Sequence, residues 1–141
     1  MNRRLDRHIW FKAVLMAISM ANASPAAAQQ KLSQDEHVTR VLVSAAIGED
    51  IRNNCSGISG RMFRVYSKAK KLERYARDQG YTEAQVNQFL RSKTQQSRII
   101  GLARTYMVEN GVVEGQEATY CSLGRAEIAK GTLTGFLLFA W

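Results

Sequence analysis

From about residue 36 onward, apolar side chains recur at intervals of three and four, the spacing of amphipathic helices. Val38, Val41, Leu42, Ala45 and Ala46 share one face of a first helix. A capping box of Ser33 with Glu36 opens it, and it runs out at Asn53-Asn54-Cys55 before the break Ser56-Gly57. A second helix is predicted from about Ser59 to Gln79, with Met62, Val65, Tyr66, Ala69, Leu72 and Ala76 inward and Gly80 closing it. Thr82 and Gln85 form another capping box, for a short helix turning Val86, Phe89 and Leu90 inward. A fourth helix follows the polar stretch 91–96, with Ile99, Ile100, Leu102, Ala103, Tyr106 and Met107 inward, and stops at Asn110-Gly111.

The last helix, predicted from about Gln116 to Leu138, has an unusually small face: Cys121, Gly124, Ile128, Gly131, Gly135 and Leu138. A glycine inside a helix costs about 1 kcal/mol against alanine, so Gly124, Gly131 and Gly135 predict a close approach to a neighbouring helix. The single proline, Pro25, precedes all of these elements and breaks none of them. The expectation is an all-α fold, a compact bundle of about five helices forming one domain over residues 29–141.

Ahead of that domain, Arg3, Arg4, Arg7 and Lys12 precede the short apolar run Ala13 to Ala23, and Ala26-Ala27-Ala28 follows Ser24-Pro25. This is the layout of a signal peptide over residues 1–28, cut after Ala28, with Ala23 as the second choice. The run is too short for a membrane span, which takes about 20 residues. The protein is therefore expected in the periplasm or secreted. The leader carries four basic and one acidic residue, so of the +8 on the whole chain about +5 stays with the domain. That is a modest charge on an exported protein and argues against nucleic acid as partner.

Export also decides the reading of the two cysteines. In an oxidising compartment Cys55 and Cys121 are expected as a disulfide, worth about 4 kcal/mol for a loop of this length. It sets the ends of the first and last helices side by side and the two helices antiparallel. A zinc site would need four ligands, and neither cysteine has a Cys or His nearby in sequence.

Few residues offer catalysis. His37 is the one histidine outside the leader and stands beside Asp35 and Glu36, as a surface histidine does. Ser59 and Ser122 lie in helical contexts rather than in a nucleophile elbow. Glu109, Glu114, Glu117 and Glu127 could be paired for glycoside chemistry, but most stand near helix ends or turns, where acids cap and face water. Glu127 and Arg125, inside the last helix, are predicted to be a buried ion pair. No catalytic residue, metal or cofactor is assigned. The clearest surface signal is the basic flank of the second helix, Arg61, Arg64, Lys68 and Lys71, suited to weak contact with anionic surfaces or an acidic protein patch. The apolar ending 136–141 is read as completing the core, with a docking patch as the alternative.

Four segments taken together, Cys55-Ser56-Gly57-Ile58-Ser59-Gly60-Arg61, Gly80-Tyr81, Asn110-Gly111-Val112-Val113 and Tyr120 to Ile128, resemble a small exported alphaproteobacterial family, domain of unknown function 5333. The resemblance covers about residues 36–138. It implies a secreted helical domain with paired cysteines and no assigned activity, and an accessory role beside an envelope or respiratory complex of the NADH dehydrogenase type. The functional expectation is a non-enzymatic exported protein that binds a protein partner. The alternatives are an accessory subunit of such a complex and a stress chaperone that exposes apolar surface when acid titrates its carboxylates.

Overall fold

Ser24 and Pro25 start the first helix as N-cap and first helical residue. The Ser24 hydroxyl accepts from the Ala27 N–H at 3.3 Å, and proline at this position gives up a donor that a helix start leaves unused. The computed structural model describes residues 24–141, the side chain of Gln29 aside, so the predicted leader lies outside the described residues as far as Ala23. Helix α1 (Pro25–Gln34) occupies residues assigned in part to the leader, and its Ala28 and Leu32 are buried. Helix α2 (Glu36–Asn54) is capped by Asp35, whose Oδ1 accepts from the Val38 N–H at 2.9 Å. The expected capping box at Ser33 is not formed. The Ser33 hydroxyl instead donates to the Gln30 carbonyl inside α1, because the earlier helix already claims that residue.

Strand β1 (Ile58–Gly60) pairs antiparallel with β2 (Leu138–Ala140), Ile58 opposite Ala140 and Gly60 opposite Leu138. The second predicted helix therefore starts later than Ser59, as α3 (Met62–Asp78). Helix α4 (Glu83–Arg91) carries both halves of the Thr82–Gln85 capping box, at 3.2 and 2.9 Å. Helix α5 (Lys93–Glu109) ends at Asn110, and Gly111 follows with φ of 86°.

The predicted last helix is two helices, α6 (Glu117–Lys130) and α7 (Leu133–Leu137), followed by β2. Gly131 separates them. It adopts φ of 64°, its N–H meets the Ile128 carbonyl at 3.1 Å, and the next N–H, of Thr132, returns to Glu127 at 3.2 Å. This is the left-handed closure that ends helices, and Thr132 at once caps α7 by accepting from the Gly135 N–H. A Cβ on Gly131 would meet nothing, so its assignment to close packing is corrected. Gly124 keeps that role: a Cβ there would stand 2.7 Å from Ile51 Cγ2 and still nearer Ile58. Gly135 keeps it too, but against the backbone of Glu127 rather than a neighbouring long helix.

The fold is thus mostly helical, with seven helices and a two-stranded ribbon among the described residues. Cys55 and Cys121 are joined, their Cα atoms 5.2 Å apart. From that link the chain positions run in opposite directions: Gly124 lies by Ile51, the Gly48 site faces Thr134 and Leu138, and the Thr134 hydroxyl donates to the Ser44 carbonyl at 3.3 Å. The chain from Cys121 through α7 runs antiparallel to α2, as the disulfide predicted. Helix α2 is the centre of the molecule and meets every other helix except α4 closely. One core gathers Ile47, Ile51, Ile58, Ala103, Met107, Tyr120, Leu123 and Leu138 around the disulfide. A second, smaller one joins Leu32, Val38, Ala76 and Phe89. No helix of the described residues is long and apolar enough to cross a membrane.

Candidate functional site

The two surface signals in the sequence, the basic flank and the apolar ending, turn out to be one surface. Ribbon pairing brings residues 138–140 against the entry to α3, and the Arg61 N–H donates to the Leu137 carbonyl at 2.7 Å. Arg61 Nε then donates to the Leu138 carbonyl at 2.9 Å, and its guanidinium sits 5.6 Å from the centre of the Phe139 ring. One turn on, Arg64 donates to the Phe136 carbonyl at 3.1 Å and lies 4.5 Å over the Phe136 ring, with Lys68 Nζ at 5.9 Å from the same ring. Phe139 meets Trp141 edge to face at 5.5 Å. Each such cation–ring contact at an exposed site contributes about 0.5–1 kcal/mol, and for Arg61 and Arg64 it adds to the hydrogen bonds to backbone carbonyls. Lys71 is exposed on α3 and takes no part in these contacts.

This end is unusually apolar for a surface. Half of the large apolar side chains that stand exposed among the described residues belong to the first turns of α3 or to residues 136–141: Met62, Phe63, Tyr66, Phe136 and Trp141, with Phe63 at 85% and Trp141 at 69% exposure. The predicted inward direction of Met62 and Tyr66 is therefore corrected. The apolar stripe of α3 is wider than the surface it meets, so its first turns project past the core. Of the apolar ending, Leu137 and Leu138 complete the core while Phe136 and Trp141 remain outside it.

The Arg125–Glu127 pair is not formed. Residues two apart on a helix point to different sides, and Arg125 is exposed while Glu127 is 1% exposed. Glu127 instead accepts from the Tyr106 hydroxyl at 2.6 Å and from the Thr132 hydroxyl. The hydrogen bond to Glu127, with burial second, pushes the Tyr106 phenol up to about 12. These bonds tie α5 to the α6–α7 turn.

A second buried-side latch lies at the α1–α2 junction, where the Tyr75 hydroxyl donates to Asp35 Oδ2 at 2.9 Å. Burial acts to raise the Asp35 carboxyl, but hydrogen bonds from the Val38 N–H and Tyr75 outweigh it and hold the group below its ordinary value. His37 is exposed, its ring 4.6 Å from that of Tyr75. Glu109 and Glu114 are exposed as well. Glu117 accepts from the Ser56 hydroxyl at 2.6 Å and the Ser56 N–H at 2.8 Å, which lower its carboxyl. It stands next to Cys55 and Cys121, but sulfurs joined to one another offer no thiolate to a metal.

Beneath α3 the packing opens. Between α2, α3 and α4 lies a hollow of about 140 Å³, walled by Leu32, Val41, Ala45, Ala69, Leu72 and Phe89 among others, with Lys68 and Glu73 as its charged members. Leu42, Phe89 and Leu90 also line an adjoining hollow of about 210 Å³ that reaches Ile99 and Ile100. Ile100 and Leu102, predicted inward, are exposed, since only Ile99, Ala103 and Met107 of α5 reach the core. The hollow has no linear signature: it arises because a broad apolar stripe on α3 meets too few partners.

Residues 30–139 match a family model described as "Family of unknown function (DUF5333)". No curated protein and no solved structure matches the chain.

Proposed function

The chain belongs to the DUF5333 family, and we propose from its own geometry that it is a non-enzymatic exported protein that works by binding a protein partner. The observation that carries this reading is the face on which Phe136 and Trp141 stand exposed beside Arg61, Arg64 and Lys68, with Phe63 exposed on the first turn of the same helix. Trp, Tyr, Phe, Met and Arg are the residues enriched at the centres of protein interfaces. Because the arginines are held by backbone carbonyls and rings, little side-chain freedom is lost on docking. Their charge suits a partner whose contact surface is acidic at its rim. The disulfide and the basic, apolar opening of the sequence support export to the periplasm.

Affinity purification of the oxidised protein from its native envelope, followed by mass spectrometry, tests the reading. A defined partner is expected, lost from the double variant Phe63→Ala, Trp141→Ala and from Arg64→Glu. Recovery of a respiratory complex of the NADH dehydrogenase type would sharpen the role to that of an accessory subunit. Turnover of an ester or cell-wall substrate that vanished in Glu127→Gln or His37→Ala would overturn it. The chaperone alternative draws on Asp35, whose protonation would loosen the α1–α2 junction in acid. It requires protection of aggregating clients at neutral or low pH.

A further inference from the structure

We propose that the paired hollows beneath α3 bind the hydrocarbon chain of a free fatty acid, with Lys68 holding its carboxylate at the mouth. This goes beyond the partner face and rests on separate observations. The first is shape and lining: two adjoining spaces share Leu42, Phe89 and Leu90, and their walls are carbon apart from Lys68 and Glu73 at one end and Gln95 and Gln96 at the other. An apolar cavity of about 150 Å³ accepts a benzene-sized group, so adjoining spaces of 140 and 210 Å³ together hold the volume of a chain of about a dozen carbons.

The second observation is how little α3 is closed onto its floor. It is a 17-residue amphipathic helix of which only Ala76 is buried, while Val65 and Leu72, which face the hollow, are half-exposed. A chain lying between α3 and α2 would cover them. The third is charge. Glu73 is already answered by Lys70 at 2.9 Å, whereas Lys68 makes no ion pair among the described residues and lies where α3 meets Phe136 and Leu137. One cation at the rim of an apolar slot matches one anionic head on an apolar tail.

Calorimetric titration of the oxidised protein with sodium dodecanoate below its micelle concentration provides the test. Saturable one-to-one uptake is expected, abolished by Ala45→Phe and by Ala69→Leu, which fill the slot from opposite walls, with helical content unchanged and the melting temperature the same or higher. If one of these variants does not fold, the other decides. Dodecanol should bind about tenfold more weakly than dodecanoate, and Lys68→Ala should erase that difference. Absence of saturable uptake overturns the proposal, as does uptake indifferent to both filling variants, or equal affinity for acid and alcohol. Attachment to phosphatidylglycerol vesicles with no uptake of dodecanoate from solution would also overturn it, in favour of a membrane surface. The filling variants Ala45→Phe and Ala69→Leu alter no residue of the partner face, and Phe63→Ala, Trp141→Ala and Arg64→Glu alter none that lines the slot, so the two readings fail separately.

Discussion

Around Cys55 and Cys121, ten buried residues drawn from α2, β1, α5, α6 and the chain's last turns form one unbroken core, while around Phe89 only four do. Both regions are built from helices with apolar stripes, yet they close differently. In the disulfide half, Gly124 lets α6 settle onto Ile51 and Ile58, and the tie between Glu127, Tyr106 and Thr132 locks the α6–α7 turn to α5. In the other half α3 lies over a hollow, held by Asp35 and Tyr75 at one end and by Arg61 and Arg64 at the other. The difference teaches that apolar patterning brings helices together, but close approach and shared polar ties decide whether they seal. Regions with few buried contacts open locally at lower free energy, so the α3 side is the part free to admit a ligand.

The largest test removes the feature that most separates the halves. Cys55→Ser with Cys121→Ser should lower stability by about 4 kcal/mol, from the loop of separation 66 that the bond closes, read as a fall in the denaturant midpoint. Truncating one leucine in each core compares them directly. Leu123→Ala, at a 5%-exposed site, should cost about 3 kcal/mol, and Leu72→Ala about 1 kcal/mol, because its site is already partly empty. Equal losses would erase the distinction between a sealed and an open core.

Smaller effects separate the two polar ties by pH. Tyr106 has its phenol raised from 10 to about 12, so its contribution is complete below pH 10 and is lost as pH rises toward 12. Tyr75 and Tyr120 are raised as well, but Tyr106→Phe should remove a late step from the phenolate absorbance and cost about 1–3 kcal/mol by leaving the buried Glu127 short of a donor. Asp35 titrates the other way: its carboxyl is lowered, so its contribution holds above pH 3.8 and is lost as pH falls through the lower folded value. Asp35→Ala should cost about 1 kcal/mol, the usual worth of an N-cap. Hydrogen exchange should place that loosening in α1 and α2 and leave α6 untouched.

Much of both halves was legible beforehand. The cysteine pair, the inward residues Val38 and Val41, the helix ends at Gly80 and Gly111, and the Thr82 capping box all follow from local chemistry, and the structure contains each. Gly131 misled because a glycine at helical spacing beside Gly124 and Gly135 reads as part of a packing face. The signal against that reading was Lys130 before it and Thr132 after it, a basic last turn followed by a capping residue. The ribbon was invisible because three residues at 58–60 and three at 138–140 are strands only in each other's presence. The partner face was read as two separate signals for the same reason. Of the two cuts expected for the leader, the one after Ala28 falls inside α1 and the one after Ala23 falls just ahead of its Ser24 cap.

Pairing Ile58 with Ala140 also sets a clock on assembly. That pairing, the disulfide of sequence separation 66 and the Arg61 bond to Leu138 all wait on segments made long after α2, so the centre of the molecule cannot settle until residue 140 is present. Contacts so distant along the chain slow the search for the native state. A growing chain would pass through a stage in which α2 and α3 have formed but their covering has not yet been made, and its thiols and apolar stripes would need shelter until Ala140 arrives.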